Sequence, residues 1–280
     1  MYLAHFGLTE YPFSLTPDTG YFFPGAGAQG ALNTLLVALE SGEGLIKIVG
    51  EVGSGKTLLC RHLLNALEAQ DWATAFIPNP NLTPAALNQA LLAELGGDMK
   101  RGLSYGLNKA LESRLLELAQ QNRRAVALID EAQAIPLESL EALRLVTNLE
   151  TEKRKLLQIV LFGQPELDQH LADPSVRQIR SRIVFHDTLI PLGALETPAY
   201  LTHRSQQAGA PDSLFTPASA SALHRRSGGL PRLLHILAHK SLLLAYGEGA
   251  HAVLPRHVRL AALDTPGAHL PWYARWRLTR

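Results

Sequence analysis

Cysteine is all but absent from these 280 residues. Cys60 stands alone, which excludes an internal disulfide framework and a cysteine-ligated zinc site. A charge excess of one sign is missing too: 26 Lys and Arg face 25 Asp and Glu, and a net charge of +1 announces neither nucleic acid nor a membrane surface as partner. No apolar run approaches the roughly 18 residues that a membrane-spanning helix needs, and Ala125–Ile129 is typical of the short runs present. The opening MYLAHFGLTEYPF lacks a basic start followed by an apolar stretch, so no secretory leader is expected. No internal repeat or low-complexity tract is visible. The expectation left is a soluble protein of a reducing, cytoplasmic compartment. With 46% apolar residues it is able to bury a sizeable core.

What is present is unevenly spread. Residues 1–150 hold 10 basic and 16 acidic side chains (−6), and residues 151–280 hold 16 and 9 (+7). Such asymmetry suits a protein in which one part meets an anion supplied from elsewhere. The first thirty residues are rich in aromatics and turn formers, and read as an ordered, extended arm (1–30) packed on the core. Short apolar strands are expected at 44–50, 74–77, 126–129, 157–162 and 183–186. Helices are expected between them, at 31–40, 56–69, 84–95, 107–121, 138–149 and 165–172. Strands alternating with helices specify a parallel sheet covered on both faces, a three-layer α/β core over 31–190. After Pro191 the strands stop. Helical patterns at 196–208, 218–227, 231–246 and 255–263 make a small all-helical second domain over 191–264, followed by an irregular tail over 265–280.

Gly50-Glu51-Val52-Gly53-Ser54-Gly55-Lys56-Thr57 matches G-x-x-x-x-G-K-[ST] in full, directly after an apolar strand and at the start of a helix. Glycines let successive backbone N–H groups turn inward around phosphate oxygens, and the helix N-terminus adds partial positive charge. Lys56 is expected to reach the β- and γ-phosphates and the Thr57 hydroxyl to ligate Mg²⁺, with Leu58 closing the nucleotide-binding stretch. A lysine in a first helical turn is electrostatically misplaced unless an anion sits there.

Asp130-Glu131 ends the strand Ala125–Ile129, which lifts both acids to the carboxyl edge of the sheet, where the phosphate loop also lies. Adjacent side chains diverge, so Asp130 is assigned to the Mg²⁺ shell and Glu131 to polarising the attacking water. ATP and Mg²⁺ are the expected cofactors, and hydrolysis is favoured over transfer because no phosphate-acceptor site is visible.

With these motifs in place the chain resembles the AAA+ ATPases of the ExeA/GspA type, which serve type II secretion and type IV pilus assembly, the MSHA pilus branch in particular. The stretches that carry the resemblance include MYLAHFGLTEYPFSLTPDT, GEVGSGKTLLCRHLLN, LIDEAQAIP, ESLEALRLVTNLETEKRKLLQIVLFGQPELDQHL and LLHILAHKSLLLAYGEG. The resemblance implies an AAA+ core with a helical lid, and further roles on matching positions. Gln164 in FGQPEL would be the polar sensor of the γ-phosphate or the water. Arg232 in GGLPRLL would be the second sensor on the lid, contacting nucleotide. Arg182, and after it Arg180, in VRQIRSRI would reach the nucleotide of a neighbouring subunit. It also implies a homo-oligomer working with inner-membrane pilus or secretion assembly proteins. At position 235 the family tends to have asparagine where this chain has histidine. Longer relatives continue into a membrane-spanning segment and a peptidoglycan-binding part, and that binding is not carried over to these residues.

Two further signals are weighed. His235 and His239 have a zinc-capable spacing, but HILAH lacks the glutamate of H-E-x-x-H, so zinc is not expected. The tail residues Trp272, Tyr273, Arg275, Trp276, Arg277 and Arg280 mix aromatics with cations, a composition that suits peripheral contact with a membrane interface, a partner groove or single-stranded nucleic acid. Two other functions remain open at this point: an AAA+ protein handling nucleic acid, against which the near-neutral charge argues, and a nucleotide-dependent scaffold with little turnover.

Overall fold

Five strands form one parallel sheet: β1 (Leu45–Val49), β2 (Ala73–Ile77), β3 (Ala125–Ile129), β4 (Gln158–Gly163) and β5 (Ile183–Thr188), in the order β2-β3-β4-β1-β5. The computed structural model describes residues 2–98, 106–152 and 154–270. Contacts group the chain into two units. The first is α/β and comprises Gln29–Val52 and Lys56–Leu189. The second is helical and comprises the described parts of Met1–Ala28, Gly53–Gly55 and Ile190–Arg280.

In the α/β unit β3 and β4 are buried along their whole length, while the edge strand β5 alternates half-buried and exposed residues. This is what parallel pairing under two helical layers requires of central and edge positions. The strands are crossed by α1 (Ala26–Glu40, whose first three residues group with the helical unit), α2 (Lys56–Glu68), α3 (Pro84–Glu94), α4 (Leu107–Gln120), α5 (Leu137–Val146), α6 (Glu166–Leu171) and α7 (Arg177–Arg180). Thr83 caps α3 by accepting from the Ala86 N–H, with Pro84 preset at the first helical position. Gln158, the buried first residue of β4, donates to the carbonyls of Leu39 and Glu43 and so closes the C-terminal end of α1. Strand register places Leu45 to Val49 opposite Ile159 to Gly163, and Val126 to Ile129 opposite Gln158 to Leu161. The carboxyl ends of β1, β4 and β3 therefore lie side by side, with β4 in the middle.

The helical unit contains α8 (Glu196–Gln207), α9 (Pro217–Ser227), α10 (Pro231–Gly247) and α11 (Pro255–Leu263). Its core includes Leu201, Leu223, Leu234, Leu237, Leu242, Val253 and Val258. The arm is not the extended strap expected on the α/β core. Tyr2, Phe6, Leu8, Phe13 and Tyr21 are buried in the core of the helical unit instead. The arm also makes short 3-10 turns at Ala4–Phe6 and Thr19–Tyr21. Each aromatic finds a partner there: Phe13 packs edge-on to Phe215, and Phe23 to Tyr200. α1 begins at Ala26, five residues before the expected start, and Gly27 in its first turn has a packing cause. A Cβ on Gly27 would sit 2.7 Å from Ile190 Cγ1, and the Ala26 N–H is capped by the Glu196 carboxylate at 2.6 Å. Trp272, Tyr273, Arg275, Trp276, Arg277 and Arg280 lie outside the described residues. No helix among the described residues is long and apolar enough to cross a membrane.

Candidate nucleotide-binding site

The loop Gly50–Lys56 runs from the end of β1 into α2. Gly50 N–H donates to the Gly163 carbonyl, at 3.1 Å, and holds the loop's first residue against β4. Gly53 and Gly55 have φ of +79° and +102°, values that favour glycine, and a Cβ on Gly55 would meet nothing within 4 Å. Gly53–Gly55 group with the helical unit, where the Arg232 N–H donates to the Gly53 carbonyl at 3.1 Å and a Cβ on Gly53 would fall 2.5 Å from Arg232 Cβ. Ser54 Oγ is buried without a hydrogen-bond partner. Glu51 and Val52 are exposed, and Leu58 is half-buried.

Lys56 is 5% exposed, and its ammonium donates to the carbonyls of Gly50 at 2.7 Å and Glu51 at 2.9 Å. Burial pushes its pKa down, against the charges of Glu131, Asp130 and Glu51, which favour the cation. Thr57 Oγ1 donates to Asp130 Oδ2 at 2.7 Å, and Asp130 Oδ1 accepts from the Glu131 N–H at 2.9 Å. Burial raises the Asp130 pKa despite these two donors.

Glu131 has φ of +51°, a left-handed conformation that costs a non-glycine residue about 1 kcal/mol or more. Its Oε2 accepts from Gln133 Nε2 at 2.5 Å and from Gln164 Nε2 at 2.9 Å. Burial alone would raise its pKa. The two amide donors and the Lys56 charge outweigh burial and leave it below the usual carboxylate value. Gln133 Oε1 also accepts from the Gln164 N–H at 2.9 Å, so one glutamine ties the ends of β3 and β4 together. The sequence reading omitted Gln133. Its signal was the third residue of Glu131-Ala132-Gln133, two positions after the acid on a 3-10 turn (Ala132–Ala134).

The structure thus brings Lys56, Thr57, Asp130, Glu131 and Gln164 together at one sheet edge. It does not bring the two arginines there. Arg180 is exposed at the end of α7, and half-buried Arg182 reaches the Thr147 hydroxyl at 3.5 Å. Neither bonds to the loop or to the acidic pair among the described residues. His235 donates through Nδ1 to the Ser14 carbonyl at 3.0 Å, which leaves Nε2 of the neutral ring to accept from the Tyr200 hydroxyl at 2.6 Å.

A polyphosphate fits these residues. A buried cation, an orphaned buried hydroxyl and an open glycine cradle are what phosphate oxygens would complete. The oxygen donors Thr57 Oγ1 and Asp130 Oδ2 suit a hard cation such as Mg²⁺.

Residues 39–171 match the family model described as an AAA domain. This stretch is similar to an AAA domain. The chain is similar to general secretion pathway protein A of Aeromonas hydrophila, with 40% identity over 269 residues, which is 95% of this chain and 49% of that protein. The chain therefore spans about half the length of this curated relative. Among solved structures, Cdc6p of Pyrobaculum aerophilum superposes with a TM-score of 0.67 at 18% identity, covering 89% of this chain and 69% of the other. The ORC2 protein of Aeropyrum pernix, in its ADPNP–ADP complexes, gives 0.65 at 18% identity, with 88% and 68% covered. These likenesses establish the AAA-type α/β fold with its parallel five-stranded sheet.

Proposed function

We propose that this AAA protein binds ATP with Mg²⁺ and hydrolyses it. The observation that carries the reading is the convergence of Lys56, the Thr57–Asp130 pair and the amide-held Glu131 at the carboxyl edge of one sheet. Lys56 would release its two loop carbonyls and donate to the β- and γ-phosphates, with loop N–H groups from Gly50 to Thr57 sharing the anion. Thr57 and Asp130 would hold Mg²⁺, which when bound neutralises developing charge on the phosphate oxygens. Glu131 would take a proton from the attacking water at its carboxylate, while Gln164 orients that water or the γ-phosphate.

Arg232 would contact the nucleotide as a second sensor. Arg182, with Arg180 as the alternative, would serve the site of a neighbouring subunit in a homo-oligomer, an assignment supported by their separation from their own subunit's acidic pair. Similarity to a general secretion pathway protein supports a role at the inner membrane in assembling a type II secretion apparatus or a type IV, MSHA-like pilus, and the sequence stretches quoted above resemble the pilus protein MshM. Nucleotide state would there be coupled to an assembly contact.

The decisive experiment is phosphate release with Glu131→Gln, which keeps side-chain shape and the Asp130–Thr57 pair. ATP affinity should stay near the parent's and turnover should fall by roughly 10²-fold or more. Mixing this variant with Arg182→Ala should restore part of the activity, since a working site on one subunit then faces a working arginine on the next. Parent-like turnover in Glu131→Gln would remove Glu131 as the base, and absence of phosphate release from the parent itself would leave a nucleotide-dependent scaffold.

A further inference from the structure

Four arginines line one recess of about 290 Å³ in the helical unit: Arg225 and Arg226 from the last turn of α9, and Arg256 and Arg259 from the first turns of α11, with Ala222 and Pro255 completing the wall. Their charges are poorly balanced. Arg256 is the exception, donating through Nε and Nη2 to Glu248 Oε2 at 2.9 and 2.7 Å. Arg225 bonds to the neutral Ser221 hydroxyl, and Arg226 to the His269 carbonyl. Arg259 is exposed and makes no hydrogen bond or ion pair among the described residues, and none of these three arginines has a carboxylate within 4 Å there. The residues outside the description cannot supply the missing counter-charge from a side chain: Met1, 99–105, Lys153 and 271–280 contain no Asp or Glu.

Position on the helices explains only part of the cluster. Cations at the C-terminal end of α9 are favoured by the helix dipole, but Arg256 lies in the first turn of α11, where the dipole opposes it, and Arg259 at the middle of α11 gains nothing from it. Glu248 answers for Arg256, and nothing answers for Arg259. Planar guanidinium forks are matched to tetrahedral phosphoryl oxygens in geometry as well as charge. At about 290 Å³ the recess has the size for one or two phosphoryl groups rather than for a run of strand backbone.

We propose that this recess binds a phosphoryl-bearing anion, either as a free diphosphate or as the headgroup of an anionic phospholipid. The experiment uses the full chain carrying Lys56→Ala, so that the phosphate loop contributes nothing. Pyrophosphate is titrated calorimetrically, and vesicles of phosphatidylglycerol or of phosphatidylcholine are floated with the protein. Pyrophosphate should bind, and Arg225→Ala with Arg259→Ala should weaken it by about tenfold for each guanidinium removed. These exposed positions leave the fold intact, which the thermal melt verifies. In a Lys56 background the double variant should keep its basal phosphate release. Flotation with phosphatidylglycerol alone, reversed by pyrophosphate and lost in the double variant, identifies a lipid headgroup as source. Pyrophosphate binding without flotation identifies a free ligand. Failure of Lys56→Ala to bind either probe overturns the proposal, as does binding that the arginine variants leave unchanged. Preference for a single-stranded oligonucleotide over pyrophosphate, lost in the same variants, also overturns it, because the ligand would then be a strand.

Discussion

Arg204 and Lys56 are both cations with almost no exposure, 3% and 5%, yet they are bound in different ways. Arg204, on α8 of the helical unit, donates through Nε to the Pro12 carbonyl at 2.6 Å, and its guanidinium lies 4.4 Å over the Tyr21 ring. Its partners come from segments nearly two hundred residues away, so its bonds join the arm to the helices. Lys56 bonds to carbonyls five and six residues back, within its own loop. Those bonds join nothing distant and can be exchanged for a ligand without opening the fold. A buried cation that bridges remote segments is spent on structure, and one that folds back on its own loop is available for chemistry.

Removing the available cation should have the largest effect on function and little on stability. Lys56→Ala is expected to weaken ATP binding by about 10³-fold, the scale of two charge-assisted contacts at roughly 2 kcal/mol each. Titration with a fluorescent ATP analogue measures this, with the thermal melt staying within a few degrees of the parent. Parent-like affinity would mean that the loop does not cradle phosphates.

Arg204→Ala should give the converse result. It leaves the Pro12 carbonyl without its donor and empties the space beneath Tyr21, a loss of about 2–3 kcal/mol by analogy with other buried donors and truncated side chains. Denaturant unfolding should show the loss, and limited proteolysis should cut the arm first. ATP affinity measured well below the new midpoint should be unchanged. Equal unfolding midpoints would show that the arm does not depend on this arginine.

The contrast also explains what could be read from residues alone. Most strands and helices were legible to within a few residues, since Ala125–Ile129 or Pro231–Gly247 carry their period and their stop signals within a few positions. The loop and Asp130 were legible for the same reason. The site of the arm was not, because Tyr2, Phe13 and Tyr21 have no local signal for which distant core they join. Gln133 escaped because its importance comes from Gln164, thirty-one residues away, through a hydrogen bond between the ends of β3 and β4. The early start of α1 escaped because its first turn lies in the glycine-rich stretch 24–30, where helix propensity is low and where Ile190 makes Gly27 a packing requirement.

If hydrolysis proceeds through Glu131, Gln133 offers a finer test. Gln133→Ala should lower turnover by about tenfold, since the carboxylate loses one of the two amides that aim it. The acidic limb of the pH–rate profile should also move upward, because the Gln133 donor helps hold the Glu131 carboxyl below its ordinary value. Gln133→Glu should not rescue either change, as it places a second carboxylate beside the first. A pH profile that stays put would leave Gln133 with a purely structural tie between β3 and β4.

The smallest expected effect belongs to the structural side of the comparison. His235 is buried on α10, between Tyr200, the Ser14 carbonyl and the Arg204 charge. Burial first, and Arg204 second, push its pKa down from 6.5 to about 3. The unfolded chain therefore binds a proton at this side chain over a range where the folded chain does not. Stability from the neutral ring is fully present above about pH 6.5 and drains away as pH falls toward 3, at no more than about 1.4 kcal/mol per pH unit. His239, also held down by burial, adds a smaller share of the same sign. Unfolding midpoints at pH 7.5, 6 and 5 should fall more steeply for the parent than for His235→Asn, whose amide can still bond to Tyr200 but does not titrate. Other ionisable groups are common to both proteins and cancel in the difference. The α/β unit provides the internal control: hydrogen exchange of β3 and β4 should show no such difference between the two proteins. If the two midpoints move in parallel with pH, the ring of His235 is hydrated rather than locked in the core of the helical unit.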